Sequence, residues 1–350
     1  MKIKAVRMHG AMDLRMDEVT LPELKSNQVL MQIRACGICG SDIACYEGRS
    51  VEGRYDIAPY IPGHEFGATI IKIGQEVKNF SVGDKVTGDC TMGCNACVNC
   101  KNGLMPSACL NTIDAGFRPD SPGAMGEYMI MNEANIHKIP DDWSFEEAAL
   151  VEAFAIGYFG VWGRGGSVDA TDDVLIFGAG TIGVCAAITA KASSCKVIIA
   201  DPVASRRQKA LQFGADIALD PLSDDFFEQV LYHTGGHGPT ITIEAAGNSA
   251  AAAAAIKAAG QCSKIRFIGI NMKQLPVIPF DIVSKNLTIA GYSGTEHFMT
   301  RTIKFMSRIK DRYDLQSMCT KYFDFKDTVQ AFDYAANNKE DNLKVMIRFP

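Results

Sequence analysis

At 350 residues the chain is longer than one ordinary hydrophobic core supports, so two domains are expected. Hydrophobic residues make up 47% and charged residues 21%, which excludes a disordered chain and leaves enough apolar side chain for packed cores. A net charge of -5, with Lys and Arg scattered rather than clustered, argues against a nucleic-acid partner.

The opening segment MKIKAVRMHG carries Lys2, Lys4 and Arg7 but no apolar stretch behind them that could serve as a signal-peptide core. The Ala-rich run from Ala250 to Ala259 is interrupted by Lys257, and no stretch approaches the ~20 apolar residues needed to cross a bilayer. The expectation is a cytoplasmic protein with no membrane partner. Cellular thiol buffers there disfavour structural disulfides, so any pattern among the 12 cysteines points to metal or catalysis.

From Val29 to Ala35 and from Ala68 to Ile73 run short β-branched, apolar segments, punctuated by turns such as Pro62-Gly63 and Gly83-Asp84. The first third therefore reads as β-rich. Two short motifs stand at strand-to-turn junctions there: Cys39 in GICGSD, and His64-Glu65 in PGHEFG. A thiolate, an imidazole and a carboxylate are soft, borderline and hard ligands, a mixture suited to zinc held with one coordination position open for catalysis. Taken singly each residue has an ordinary structural explanation; together they form a candidate catalytic site.

Between Cys90 and Asp120 apolar periodicity disappears and Cys, Asn, Gly and Pro accumulate, the profile of a loop held by something other than a core. Cys94, Cys97 and Cys100 lie at two successive CxxC spacings and Cys109 follows. Four such thiolates close a tetrahedral zinc site, which is structural because no position remains for substrate; an iron site has the same donor set. Cys90 is a bystander by its spacing, or a substitute for Cys109.

Around Val174 the texture changes to compact apolar runs, VLIF, VIIA, ITIEAAG and IRFIGI, each followed by glycine, Asp-Pro or a helix-like segment. That rhythm predicts a doubly wound parallel sheet in an α/β domain. Gly178, Gly180 and Gly183 form GxGxxG between VLIF and a helix-like segment that opens at Thr181 and Ile182. The glycines allow a tight turn and close approach to a pyrophosphate, and the helix start supplies N–H donors. Asp201 ends VIIA, 18 positions after Gly183, as a ribose-binding carboxylate would, or else it is a turn residue before Pro202. A carboxylate there repels a 2′-phosphate and favours NAD, while Arg206 and Arg207 nearby weaken that preference. After Gly291 come a helix-like stretch with Phe298, Ile303, Phe305, Met306 and Ile309, and a final strand KVMIRF. The expected division is a catalytic domain of residues 1–153 and 291–350, with a dinucleotide-binding domain of residues 154–290.

With GICGSD, GHE, the CxxCxxC lobe and GAGTIG in this order, the chain resembles the zinc-dependent medium-chain dehydrogenases along essentially its whole length. The resemblance points to the sorbitol, threonine and galactitol-phosphate dehydrogenase branch. It implies a β-rich GroES-like catalytic domain beside a Rossmann domain, two zinc ions per chain, NAD, a small-molecule alcohol substrate and a homodimer or homotetramer. By motif, Cys39, His64 and Glu65 take the catalytic-zinc positions, Glu152 the acidic position at or near that metal, and Cys94, Cys97, Cys100 and Cys109 the structural-zinc positions. The implied reaction oxidises a secondary alcohol of a polyol or sugar derivative to a ketone by hydride transfer to NAD. L-threonine 3-dehydrogenase-like activity and a non-catalytic NAD(H)-binding redox sensor are the alternatives. The chain departs from the family at Ala44, where a proton-relaying histidine is common, so Ser41 or Glu152 becomes the expected proton exit. Ala68, Ala153 and the later placing of Cys109 are smaller departures. Arg49, Arg54 and Arg118 are candidate anion readers, or plain surface arginines.

Overall fold

The computed structural model describes residues 1–49, 59–163, 168–340 and 342–350. Contacts divide the chain into two compact units, Met1–Glu152 with Gly294–Pro350, and Ala153–Ser293. No helix among the described residues is long and apolar enough to cross a membrane.

The first unit opens with the hairpin of β1 (Lys2–Gly10) and β2 (Asp13–Thr20), followed by β3 (Gln28–Gly37). Along β3, buried Val29, Met31, Ile33 and Ala35 alternate with half-buried neighbours, the period-2 pattern of a strand with one face on a core. A short helix α1 (Gly40–Tyr46) follows, then β4 (Glu65–Ile73), β5 (Lys85–Gly88), β6 (Thr91–Met92), the one-turn α2 (Val98–Lys101), β7 (Ile113–Asp114), β8 (Tyr128–Asn132) and β9 (Ile136–Lys138). Helix α3 (Phe145–Ala149) begins with a capping box in which Ser144 and Glu147 each satisfy the other's backbone N–H.

The second unit carries α4 (Val151–Trp162), whose first two residues still belong to the first, and then strands β10 (Asp173–Phe177), β11 (Lys196–Ala200), β12 (Ile217–Leu219), β13 (Ile241–Glu244), β14 (Lys264–Phe267) and β15 (Thr288–Gly291). Between them lie α5 (Thr181–Ala192), α6 (Ala204–Gln212), α7 (Phe226–His233), α8 (Ser249–Ala258) and α9 (Pro279–Ser284). All strand pairs are parallel, in the order β12-β11-β10-β13-β14-β15. This is the doubly wound order that reverses direction between its first and fourth strands, here β10 and β13. Val174–Phe177 and Val197–Ala200 are buried without interruption, as strands covered on both faces must be.

The chain then returns to the first unit through α10 (Met299–Ile309), β16 (Cys319–Asp324), α11 (Thr328–Asn337) and β17 (Lys344–Arg348). Met299, Thr302, Ile303, Met306 and Ile309 form the buried stripe of α10 at helical spacing. Strand β17 pairs antiparallel with β3, giving a mixed sheet of order β16-β17-β3-β4-β5-β9, with β8 on the other stretch of β3. That pairing lays the carboxy-terminal strand beside the end of β3, next to the GICGSD turn.

Candidate metal centres and nucleotide-binding loop

Cys39 is the N-cap of α1, and three residues on, Asp42 reaches back so that its Oδ2 accepts the Cys39 N–H at 2.9 Å. The other oxygen, Oδ1, accepts the Gly63 N–H at 3.3 Å, so one buried carboxylate ties together the two turns that carry Cys39 and His64. The same Oδ1 lies 3.7 Å from His64 Nδ1, whose ring packs on Phe117. Glu65 starts β4 opposite Gly37 at the end of β3. The result is a group in which one ligand atom each from Cys39, His64 and Glu65 lies within 4.8 Å of the others.

Burial works against a charged His64 imidazole, yet Asp42 and Cys39 hold its pKa well above the ordinary value. The pocket is thus built to favour positive charge. A thiol, an imidazole and a carboxylate converging where the potential favours a cation fit a zinc ion.

Lys344, the first residue of β17 and 3% exposed, donates to Glu65 Oε1 at 2.7 Å, to Oε2 at 2.5 Å and to the Ile38 carbonyl at 3.1 Å. Burial opposes its charge, but the Glu65 carboxylate keeps the ammonium above its usual range. A carboxylate shared with a buried ammonium is a weaker metal donor than a free one, which leaves Cys39 and His64 as the strong donors.

Glu152, in the first turn of α4, is buried but is not a member of the three-residue group; its Oε1 accepts from the Cys90 thiol at 3.2 Å. Burial raises its carboxyl pKa, with His64 opposing. Cys90 therefore faces Glu152 and stands outside the four-cysteine lobe that its spacing had put it beside. Ser41 and Ala44 are half-buried on α1, while Ala68 and Ala153 are packed interior positions of β4 and α4. Arg49 pairs with Glu47 and Arg118 with Asp120, each two residues away at the surface, and Arg54 lies outside the described residues.

In the lobe, one sulfur each from Cys94, Cys97, Cys100 and Cys109 lies within 4.8 Å of the others. Backbone N–H groups of Cys94 and Asn111 point at Cys109 Sγ (3.2 and 3.3 Å), that of Cys97 at Cys94 Sγ (3.3 Å) and that of Cys100 at Cys97 Sγ (3.5 Å). The N–H groups of Ala96 and Cys97 lower the Cys94 pKa to about 6, whereas desolvation and the neighbouring Cys97 and Cys109 thiols push Cys100 up to about 12. Four sulfurs this close cannot all ionise by themselves; a dication among them removes the conflict, so the lobe fits a structural zinc.

The glycine motif closes the turn after β10. Gly178 has a positive φ of 96°, and a Cβ there would stand 2.9 Å from the Ala246 backbone. A Cβ on Gly183 would meet the Gly178 carbonyl oxygen at 1.8 Å, so α5 packs against the turn only with glycine. Gly180, the N-cap of α5, faces open space beside half-buried Thr181 and Ile182, room that a pyrophosphate fits at a helix start. Asp201 directly follows β11 in a buried position, where Oδ2 accepts the Ala179 N–H at 2.8 Å and Oδ1 the Val203 N–H at 2.9 Å. The carboxylate thus fastens the glycine turn to β11 and closes its own turn, with lone pairs remaining for a ribose. Arg207 donates to the Asp201 carbonyl at 2.6 Å and pairs with Asp220 at 3.1 Å; Arg206 is half-buried on α6. Across the strand-order reversal, Glu244 at the end of β13 accepts the Ala246 and Gly247 N–H groups at 2.9 and 2.8 Å, fixing the loop against which Gly178 packs.

Asp42, Lys344 and Glu244 were not among the expected site residues, and Cys90 was weighed only as a neighbour of the lobe or a substitute for Cys109. Asp42 had a signal in its capping-box distance from Cys39, Glu244 is the single charge ending an otherwise apolar strand, and Lys344 is one of two charges bracketing an apolar run.

Residues 25–141 match the family described as the alcohol dehydrogenase GroES-like domain, and residues 181–308 match that described as zinc-binding dehydrogenase. The L-threonine 3-dehydrogenase of Vibrio parahaemolyticus is 31% identical over 337 residues, covering 95% of this chain and 96% of that protein. The sorbitol dehydrogenase of Bacillus subtilis is 28% identical over 352 residues, covering 99% and 97%. Among solved structures, an Escherichia coli oxidoreductase/dehydrogenase of unknown specificity superposes with a TM-score of 0.93 at 26% identity, covering 100% of both chains. With both family models matching the chain and likeness running the length of its relatives, the chain belongs to the zinc-dependent medium-chain dehydrogenase family.

Proposed function

We propose that the protein is an NAD-linked dehydrogenase that oxidises a secondary alcohol of a polyol or sugar derivative to a ketone, with one zinc at Cys39, His64 and Glu65 and a second in the four-cysteine lobe. The observation that carries this reading is the convergence of three donor atoms from two separate segments, within 4.8 Å, in a pocket that raises the pKa of its own histidine. A zinc ion held there supplies Lewis acidity, which makes an alcohol hydroxyl easier to deprotonate. The chain does the positioning. Asp42 fixes Cys39 and His64, and Lys344 restrains Glu65. Ser41, two residues after Cys39 on α1, takes the hydroxyl proton and passes it outward, the role left open by Ala44. The N–H groups of Thr181 and Ile182 hold the pyrophosphate and Asp201 the ribose hydroxyls. Arg207 is already committed to Asp220 and the Asp201 carbonyl, which supports NAD over NADP. NAD held at the glycine turn would accept the hydride, and the chain's part would be to hold the alcohol within near-attack distance, about 3–3.5 Å, of the nicotinamide.

The 31% identity to an L-threonine 3-dehydrogenase favours threonine as the second substrate reading. A homodimer or homotetramer is supported by β15, an edge strand with one partner among the described residues, and by exposed Ile270, Met272, Ile278, Phe280 and Val283 in the same stretch of chain. Thiol ligands at both sites suit the reducing cytosol. The test is a panel of polyols, sugar acids, sugar phosphates and L-threonine, watched for NADH absorbance with and without a chelator. Chelator-sensitive NADH formation with a polyol is expected; nucleotide binding with no turnover of any alcohol overturns the reading in favour of a redox sensor.

A further inference from the structure

A buried carboxylate beside a three-donor metal site is a competitor for the vacant coordination position that an alcohol must occupy. Glu152 is such a carboxylate: 4% exposed, near enough to His64 and Glu65 to feel both charges, yet outside the ligand group. What engages it is Cys90, whose thiol donates to Oε1 at 3.2 Å. Cys90 is itself held rigidly. Its carbonyl accepts the Ala115 N–H at 2.8 Å, and the next residue, Thr91, pairs with Asp114 in the β6–β7 ladder and donates its hydroxyl to Asp114 Oδ1 at 3.0 Å. A donor fixed on a β-ladder can hold a carboxylate at a set distance, as groups behind metal ligands commonly do.

We propose that Cys90 is a positioning residue that tethers Glu152 beside the Cys39–His64–Glu65 site and keeps its carboxylate off the metal, leaving the fourth position to the alcohol. This rests on the metal reading given above. The role is that of a restraint, so Cys90 contributes no sulfur to the metal and touches no substrate.

The test uses the full-length protein with cobalt(II) exchanged into the three-residue site and zinc kept in the lobe, without cofactor or alcohol. The visible cobalt bands report coordination, and imidazole titrated into the sample probes the vacant position. Cys90→Ala releases Glu152, so the cobalt bands weaken and shift as a carboxylate enters, and imidazole binds about tenfold more weakly. Cys90→Ser keeps a donor and returns both readouts toward the wild type. In a Glu152→Gln background, Cys90→Ala changes neither, because the competing carboxylate is gone; this comparison and the serine variant stand even if the single alanine variant folds poorly. Wild-type bands and wild-type imidazole affinity in Cys90→Ala overturn the proposal, as does loss of a sulfur-to-cobalt charge-transfer band in Cys90→Ser, which makes Cys90 a ligand. A wild-type protein that takes no cobalt at Cys39 overturns the metal reading itself, a result distinct from a normal cobalt spectrum indifferent to Cys90.

Discussion

The two cysteine-bearing sites are built in opposite ways. The lobe draws its four sulfurs from residues 94 to 109, steadies them with N–H groups of the same loop, and buries only Cys109. The Cys39 site gathers donors from two separate segments and holds them with Asp42 and with Lys344, which arrives from the far end of the chain. A local site needs the metal to complete its fold, whereas a site assembled by the core is held open by charges that exist before any metal arrives. Loss of metal should therefore unfold one and silence the other.

The largest expected effect is at the assembled site: Cys39→Ser lowers kcat/KM by about 1,000-fold or more, an order typical of removing a group that acts directly on the reacting centre, with the melting temperature nearly unchanged. Steady-state kinetics beside thermal melting checks it, and a large fall in Tm would break the contrast. Next is Lys344→Met, which strands the buried Glu65 carboxylate; a loss of about 3–5 kcal/mol in urea unfolding is expected. A smaller loss would mean that Glu65 is neutralised by protonation or by metal. Cys97→Ser sharpens the other side. One zinc per chain is lost by atomic absorption and the lobe becomes sensitive to protease, while activity per folded molecule falls less than about tenfold. The smallest effect is Asp201→Asn, for which a rise in the NAD Kd of about tenfold by fluorescence titration is expected, with NADP binding improved.

The difference between the sites also explains what the amino-acid sequence discloses. Cys94, Cys97, Cys100 and Cys109 lie close enough in sequence for their spacing to announce their geometry, and Gly178 and Gly183 announce theirs because one turn must meet both a positive φ and a 1.8 Å collision. The continuous apolar runs of β10 and β11 likewise predict a parallel sheet, and the structure covers those strands on both faces. Lys344 could not be read this way: its meaning depends on β17 pairing with β3 some 300 positions earlier, and nothing in KVMIRF names that partner. Cys90 misleads for the same reason, since only three residues separate it from Cys94 while its thiol points at Glu152. Spacing reports contacts within a turn, and only tertiary structure reports which buried charges face one another.

The central claim is that Cys39 and His64, with Glu65 restrained by Lys344, hold a metal with one position left open. It is tested most directly by a crystal structure recorded at the zinc absorption edge. Two anomalous peaks per chain are expected, one enclosed by the four lobe sulfurs at about 2.3 Å, the other about 2.3 Å from Cys39 Sγ, about 2.0–2.1 Å from a His64 nitrogen and about 2.0–2.2 Å from a Glu65 oxygen, with a solvent or substrate atom completing it. A single peak in the lobe, with Cys39 and His64 turned apart, would contradict it.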